Sequence, residues 1–199
     1  MLFPDGPLAL VGFSLGAAAA LRTAPHLGER VEQIDLVSPA APLQLGDFLG
    51  GMAGAPVFRA ALAGRLPFAA LTFAQAQAAR LAPGRMAAAL MAKAKGQDRA
   101  LAADPQFIAA LAKSLRTSLL EQRAAYTTEI RAYVSDWRAD LAQVRQPVAI
   151  WQGSADDWTP PAMALALADA LPQPPRFTMI EGLSHFSTLR AYCESLPRP

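Results

Sequence analysis

The sequence predicts an α/β fold: a mostly parallel sheet with helices on both faces and a long all-helical insertion. Two observations predict it. Short apolar runs at Pro7–Val11, Val31–Ser38, Gln146–Gly153 and Arg176–Ile180 read as strands, and helix-forming runs follow the first and third of them. That alternation builds parallel sheets. Between residues 43 and 146 the pattern changes to recurrent helical signals with no convincing strand. The expected division is therefore core over 1–42, a helical insertion over 43–146, and core again over 147–199.

The first strand runs into Gly12-Phe13-Ser14-Leu15-Gly16, and Ala17 to Arg22 follows as helix. Strand, G-x-S-x-G, helix is the context of a nucleophile elbow. The tight turn forces the serine backbone toward unusual angles and lifts its Oγ to the top of the sheet. Gly12 and Gly16 are expected to flank it because a Cβ at either place would collide with the strand or the helix. The free N–H groups and dipole of the helix start favour developing negative charge. A rival reading of the same stretch is a secretory signal. Against it, the preceding residues hold Asp5 and no Lys or Arg, and Pro7 to Leu21 is too short to span a bilayer at about 1.5 Å per residue. The helix is expected to end at about Gly28, and His26, between Pro25 and Gly28, reads as a loop or surface histidine away from the strand ends.

Val31 to Ser38 is the next strand. Beyond Pro42, helices are expected at Ala60–Leu66, Ala69–Leu81, Arg85–Ala94, Pro105–Arg116 and Leu119–Tyr133, punctuated by Gly50-Gly51, Pro67, Pro83-Gly84 and Gly96. Gln146 to Gly153 reads as a buried strand, Ser154 to Pro160 as a polar loop, and Pro161 to Leu171 as a helix, with proline at a start where its missing N–H costs nothing. Arg176 to Ile180 then leads into Glu181-Gly182-Leu183-Ser184-His185-Phe186. An acid past one strand and a histidine past the next emerge on the elbow's edge of a parallel sheet.

With these motifs in this order, the chain resembles the α/β-hydrolase superfamily, in which the triad runs Ser, acid, His. The elbow supplies Ser14. The loop G-x-x-D-x-x-x-P, Gly153 to Pro160, supplies Asp156, and G-x-x-H, Gly182 to His185, supplies the histidine. The resemblance implies a serine esterase acting on a carboxylic ester or thioester through an acyl-serine, with Leu15 N–H as an oxyanion donor. Asp157 is the rival acid in the same loop, with loop capping as its other role. An acyltransferase on the same triad and a non-catalytic hydrolase-like binding protein are the competing readings. The insertion resembles the family's cap. Phe48, Phe58, Phe68, Phe73, Leu90 and Met91 are candidates to line a pocket beneath it, and helix-to-helix contact is the plainer role for most of them. Trp137 and Trp151 are expected to pack and not to bind, and Trp158, beside the proposed acid, is a candidate to touch substrate.

The resemblance also implies strands before the elbow strand, and here that strand begins a few residues after Met1. A fragment is the expectation; otherwise an apolar edge at Leu8–Val11, blunted only at its start by Pro4 and Pro7 and with no bulge signal, would pair with another chain or a second copy. The chain has 199 residues, 53% hydrophobic and 17% charged, with a net charge of +2. That suits one globular domain and gives no case for nucleic acid. Residues 43–146 carry 13 Arg plus Lys against 7 Asp plus Glu. An anionic substrate or carrier-protein partner fits that excess, and so do solvated helix faces. A single cysteine, Cys193, read as a structural thiol near the last helix, fits a reducing, cytoplasmic setting. No metal cluster or cofactor motif is expected, nor a membrane span.

Overall fold

Four strands form one parallel sheet: β1 (Leu8–Phe13), β2 (Val31–Val37), β3 (Val148–Gly153) and β4 (Arg176–Ile180), in the spatial order β1-β2-β3-β4. The computed structural model describes residues 6–197; Pro4 and Asp5 lie outside the described residues. Alternation along the strands sorts side chains to two faces. Ile34, Leu36, Val148 and Ile150 join one buried cluster with Leu21 and Ala24 of α1 (Gly16–Leu27) and Met163, Ala164 and Leu167 of α9 (Pro161–Ala170). Each fully buried side chain of this kind contributes about 1.5–3 kcal/mol. On the other face Asp35 and Trp151 meet Tyr192 of α10 (His185–Ser195). The phenol donates to Asp35 Oδ2 at 2.7 Å and its ring lies edge-on to the indole. Helices thus cover both faces, as the sequence predicts.

Between the two groups of strands lie α2 (Ala55–Leu62), α3 (Arg65–Leu81), α4 (Pro83–Met91), α5 (Asp98–Ala102), α6 (Pro105–Arg116), α7 (Arg123–Val134) and α8 (Arg138–Leu141). A π-helical turn, Thr117–Glu121, joins α6 to α7. Phe68, Met91 and Trp137 are buried, whereas Phe73 is 56% exposed and fills neither core nor cavity. No helix among the described residues is long and apolar enough to cross a membrane.

Three expectations need correction. The break before α3 falls at Gly64, whose φ of 121° suits glycine, and not at Pro67; Pro67 sits in the first turn of α3, where proline is tolerated. Helix α1 ends at Leu27 with Gly28 as its C-cap, where the sequence places its end, and it includes Pro25 and His26. A proline in the last turn removes one hydrogen bond without stopping the helix, and His26 remains exposed at the end remote from Ser14. The β1–β2 register shifts between Leu8 and Ala9, with the extra residue, Glu32, on β2 and not on β1. Cys193 lies on α10 but is exposed, so it does not serve as a packed thiol. On the outer side of β1, Val11 is 50% exposed.

The two elbow glycines differ. A Cβ on Gly12 would lie 2.8 Å from Ala17 Cα, 2.9 Å from Gly16 O and 3.0 Å from Ala17 N, all backbone that cannot rotate away. A Cβ on Gly16 meets nothing within 4 Å, which corrects the expectation of a collision there; the first residue of α1 points that bond into open space. Gly12→Ala is expected to cost about 3 kcal/mol. Gly16→Ala is expected to be neutral or to stabilise by up to about 1 kcal/mol. Urea unfolding midpoints of the two variants measure both.

Candidate active site

Ser14 stands between the end of β1 and the start of α1. Its φ is 55°, in the left-handed region that side chains other than glycine seldom adopt. Three hydrogen bonds hold it there. Its N–H donates to Val37 O at 3.1 Å, and its carbonyl accepts from Ala17 N at 3.1 Å and Ala40 N at 3.0 Å. Leu15 follows in helical conformation directly before α1. Among the described residues its N–H has no backbone partner.

Asp156 and His185 meet in the interior. His185 Nδ1 lies 2.9 Å from Asp156 Oδ2, and the two side chains are 3% and 0% exposed. A carboxylate only accepts, so Nδ1 carries the proton and Nε2 is left with its lone pair. The Trp158 and Thr159 N–H groups both donate to Asp156 Oδ1 at 2.9 Å. Burial acts to raise the Asp156 pKa; the charge and hydrogen bond of His185 and the Thr159 amide together overcome it and hold the carboxyl below its usual range. Asp157 is placed differently. Its carboxylate is 3.9 Å from Lys95 Nζ, and burial pushes it up despite that cation.

The imidazole is enclosed by rings. Phe13, the neighbour of Ser14, lies 4.6 Å from it between centroids, Trp158 stacks at 5.9 Å with 23° between planes, and Phe186 stands edge-on at 5.2 Å. Phe13, next to Ser14 in sequence, thus packs directly against the His185 ring. No hydrogen bond between Ser14 Oγ and His185 is present among the described residues. Such contacts are commonly long before substrate binds.

A cavity of about 370 Å³ opens on Ser14 and Leu15. Its walls include Met52, Phe58, Leu90 and Ile130, with Trp158 and Thr159 at the site end and Gln75 and Tyr126 among the few polar groups. Of the candidate pocket residues, Phe58 and Leu90 line it; Phe48, Phe68, Phe73 and Met91 do not. No group of His, Cys, Asp and Glu capable of holding a metal occurs among the described residues.

Thr159 escaped the sequence reading. Its hydroxyl is within hydrogen-bond distance of Ser38 O (2.9 Å), Asp156 Oδ2 (3.1 Å) and His185 Nδ1 (3.2 Å). It therefore bridges the end of β2 to the acid and the histidine. Ser38 itself is buried with φ 45°. The only signal in the sequence is the position of Thr159 inside the loop of Asp156.

Residues 2–188 match the family described as serine aminopeptidase, S33. Similar solved structures include a hydrolase from Oleispira antarctica (18% identity, TM-score 0.62, 94% of this chain and 62% of that one). An enol-lactonase from Burkholderia xenovorans is similar at 16% identity and TM-score 0.61, over 95% and 62% of the two chains. A thermophilic esterase from Thermogutta terrifontis follows at 20% identity and TM-score 0.62, over 94% and 62%. The chain spans less than two thirds of the length of each. At such identities the likeness speaks for the fold. A search of curated proteins finds no significant match. The family match extends over nearly the whole sequence and agrees with a parallel sheet bearing a strained serine between strand and helix: the chain belongs to the serine aminopeptidase S33 family of α/β-hydrolases.

Proposed function

We propose that the protein is a serine hydrolase that cleaves a carboxylic ester or thioester through an acyl-serine intermediate. Ser14 is the nucleophile, His185 the general base and Asp156 the acid that orients it. The buried 2.9 Å contact between Asp156 and His185 carries this reading. It fixes the tautomer that leaves Nε2 free to take the Ser14 proton. The hydroxyl oxygen attacks the carbonyl as the proton passes to Nε2. The Leu15 N–H receives the developing oxyanion, a donor of a kind worth about 3–4 kcal/mol in the transition state. The imidazolium returns the proton to the departing alcohol or thiol, and water repeats the sequence to release the acid.

The helical segment 43–146 serves as a lid over the acyl group, since Met52, Phe58, Leu90 and Ile130 come from it and line the cavity beside Ser14. Such walls suit an apolar acyl chain. The names of the similar esterase and enol-lactonase agree with esters and lactones as the class to try first.

The test is a fluorophosphonate probe with the adduct located by peptide mapping, together with the pH dependence of p-nitrophenyl ester hydrolysis. An adduct on Ser14 is expected. The rate is expected to fall on the acid side, because base catalysis needs the neutral imidazole. Asp156, held below its usual range, stays ionised throughout that limb. A rate that does not fall on the acid side removes His185 as base. Adding methanol as a second acceptor separates transfer from hydrolysis by the products. An unlabelled, folded protein favours a binding role.

A further inference from the structure

The N-terminus of α10, whose first residue is His185, is held from a distant part of the chain. Asp98 opens α5 and is only 1% exposed. Its Oδ2 accepts the Phe186 N–H at 3.0 Å and its Oδ1 accepts the Ser187 N–H at 2.7 Å. These are the second and third residues of α10, whose N–H groups no helical carbonyl can reach. A carboxylate is well suited to that place, because it complements the helix dipole and makes charge-assisted hydrogen bonds. The Ser184 N–H turns instead to Ser187 Oγ at 2.8 Å.

The residues just before Asp98 grip the same region. Gln97 N–H donates to Gly182 O at 3.0 Å. Gly96, with φ 48°, lies so close that a Cβ there would strike Gly182 O and come within 2.9 Å of Ala155 Cβ. Ala155 adjoins Asp156, and Gly182 begins the turn that delivers His185. One short stretch, Gly96–Asp98, therefore touches the loop of the acid and the loop of the histidine together.

We propose that Asp98 is a positioning residue for His185, through which the helical segment sets the imidazole relative to Ser14. It touches no reacting atom. Its two bonds fix the first turn of α10, and the direction of that turn fixes where Nε2 stands. A misplacement of about 1 Å in a catalytic group is enough to cost on the order of a hundredfold in rate. This inference rests on the reading of Ser14 and His185 as the reacting pair.

The test measures fluorophosphonate labelling of the full chain and of Asp98→Ala and Asp98→Asn. Two quantities are read: the pseudo-first-order rate constant and the final labelled fraction. Asp98→Ala is expected to slow labelling about tenfold or more while the final fraction stays at the unaltered level. The kcat for a p-nitrophenyl ester falls in step, with KM within about twofold. Asp98→Asn keeps one acceptor for the two N–H groups and is expected to fall between. A merely structural role gives the opposite result: fewer labelled molecules, each reacting at the unaltered rate. That result, or rate constants within about twofold in both variants, overturns the proposal. If Asp98→Ala yields no folded protein, the rate constant of Asp98→Asn decides by the same criterion. Failure of the unaltered chain to label at Ser14 overturns the nucleophile assignment and this proposal with it. Normal labelling with unaltered variant kinetics overturns this proposal alone.

Discussion

Ser14→Ala is expected to lower ester hydrolysis by about 10⁶-fold and to abolish fluorophosphonate labelling. The reason is the loss of the attacking oxygen. His26 lies on the exposed far end of α1, and Thr159, whose hydroxyl lies near His185, is on the Nδ1 side of the ring. Alanine keeps a Cβ, so the cavity and the Leu15 N–H, the proposed oxyanion donor, are expected to be unchanged and substrate to bind still. The loss is thus expected in kcat, with KM little altered. Steady-state kinetics on a p-nitrophenyl ester, with a melting curve to show that the variant is folded, checks both parts. Residual turnover within tenfold of the unaltered protein would remove Ser14 as nucleophile.

Asp156→Asn is the second large effect, expected at about 10⁴-fold in kcat. The asparagine oxygen still accepts from Trp158 and Thr159, so the loop keeps its form. Its amide then points a donor at Nδ1 of His185. The ring answers by moving its proton to Nε2, the atom that has to receive one. Stability responds separately. The folded-state pKa of Asp156 is depressed. Its charge therefore contributes stability above the ordinary carboxylate range, and that contribution is lost as pH falls through the folded value. The asparagine variant is expected to lose this part of the acid sensitivity. Urea unfolding at neutral and acidic pH measures it, alongside the kinetics.

The parts of this molecule that could be read in advance are those with short-range causes. Gly12 is required by backbone four and five residues away, and the loops of Asp156 and His185 are each framed by a glycine at fixed distance. Apolar runs between turn residues placed all four strands. The failures have equally definite causes. Pro67 looks like a break between helices, yet it lies just inside the start of one, where proline is tolerated. Thr159 and Asp98 were not legible because their partners, Ser38 and Phe186, are 121 and 88 residues away in sequence. No local pattern encodes such a meeting; it follows from the path of the whole chain.

The backbone of Ser14 has a thermodynamic consequence of its own. A non-glycine residue held at φ 55° costs on the order of 1–3 kcal/mol, and glycine would relieve most of it. A sequence tuned for persistence alone would place glycine at position 14. With Ser14 in the proposed role, reactivity and durability pull against each other at a single Cα, and the rest of the elbow is what keeps the compromise from unravelling.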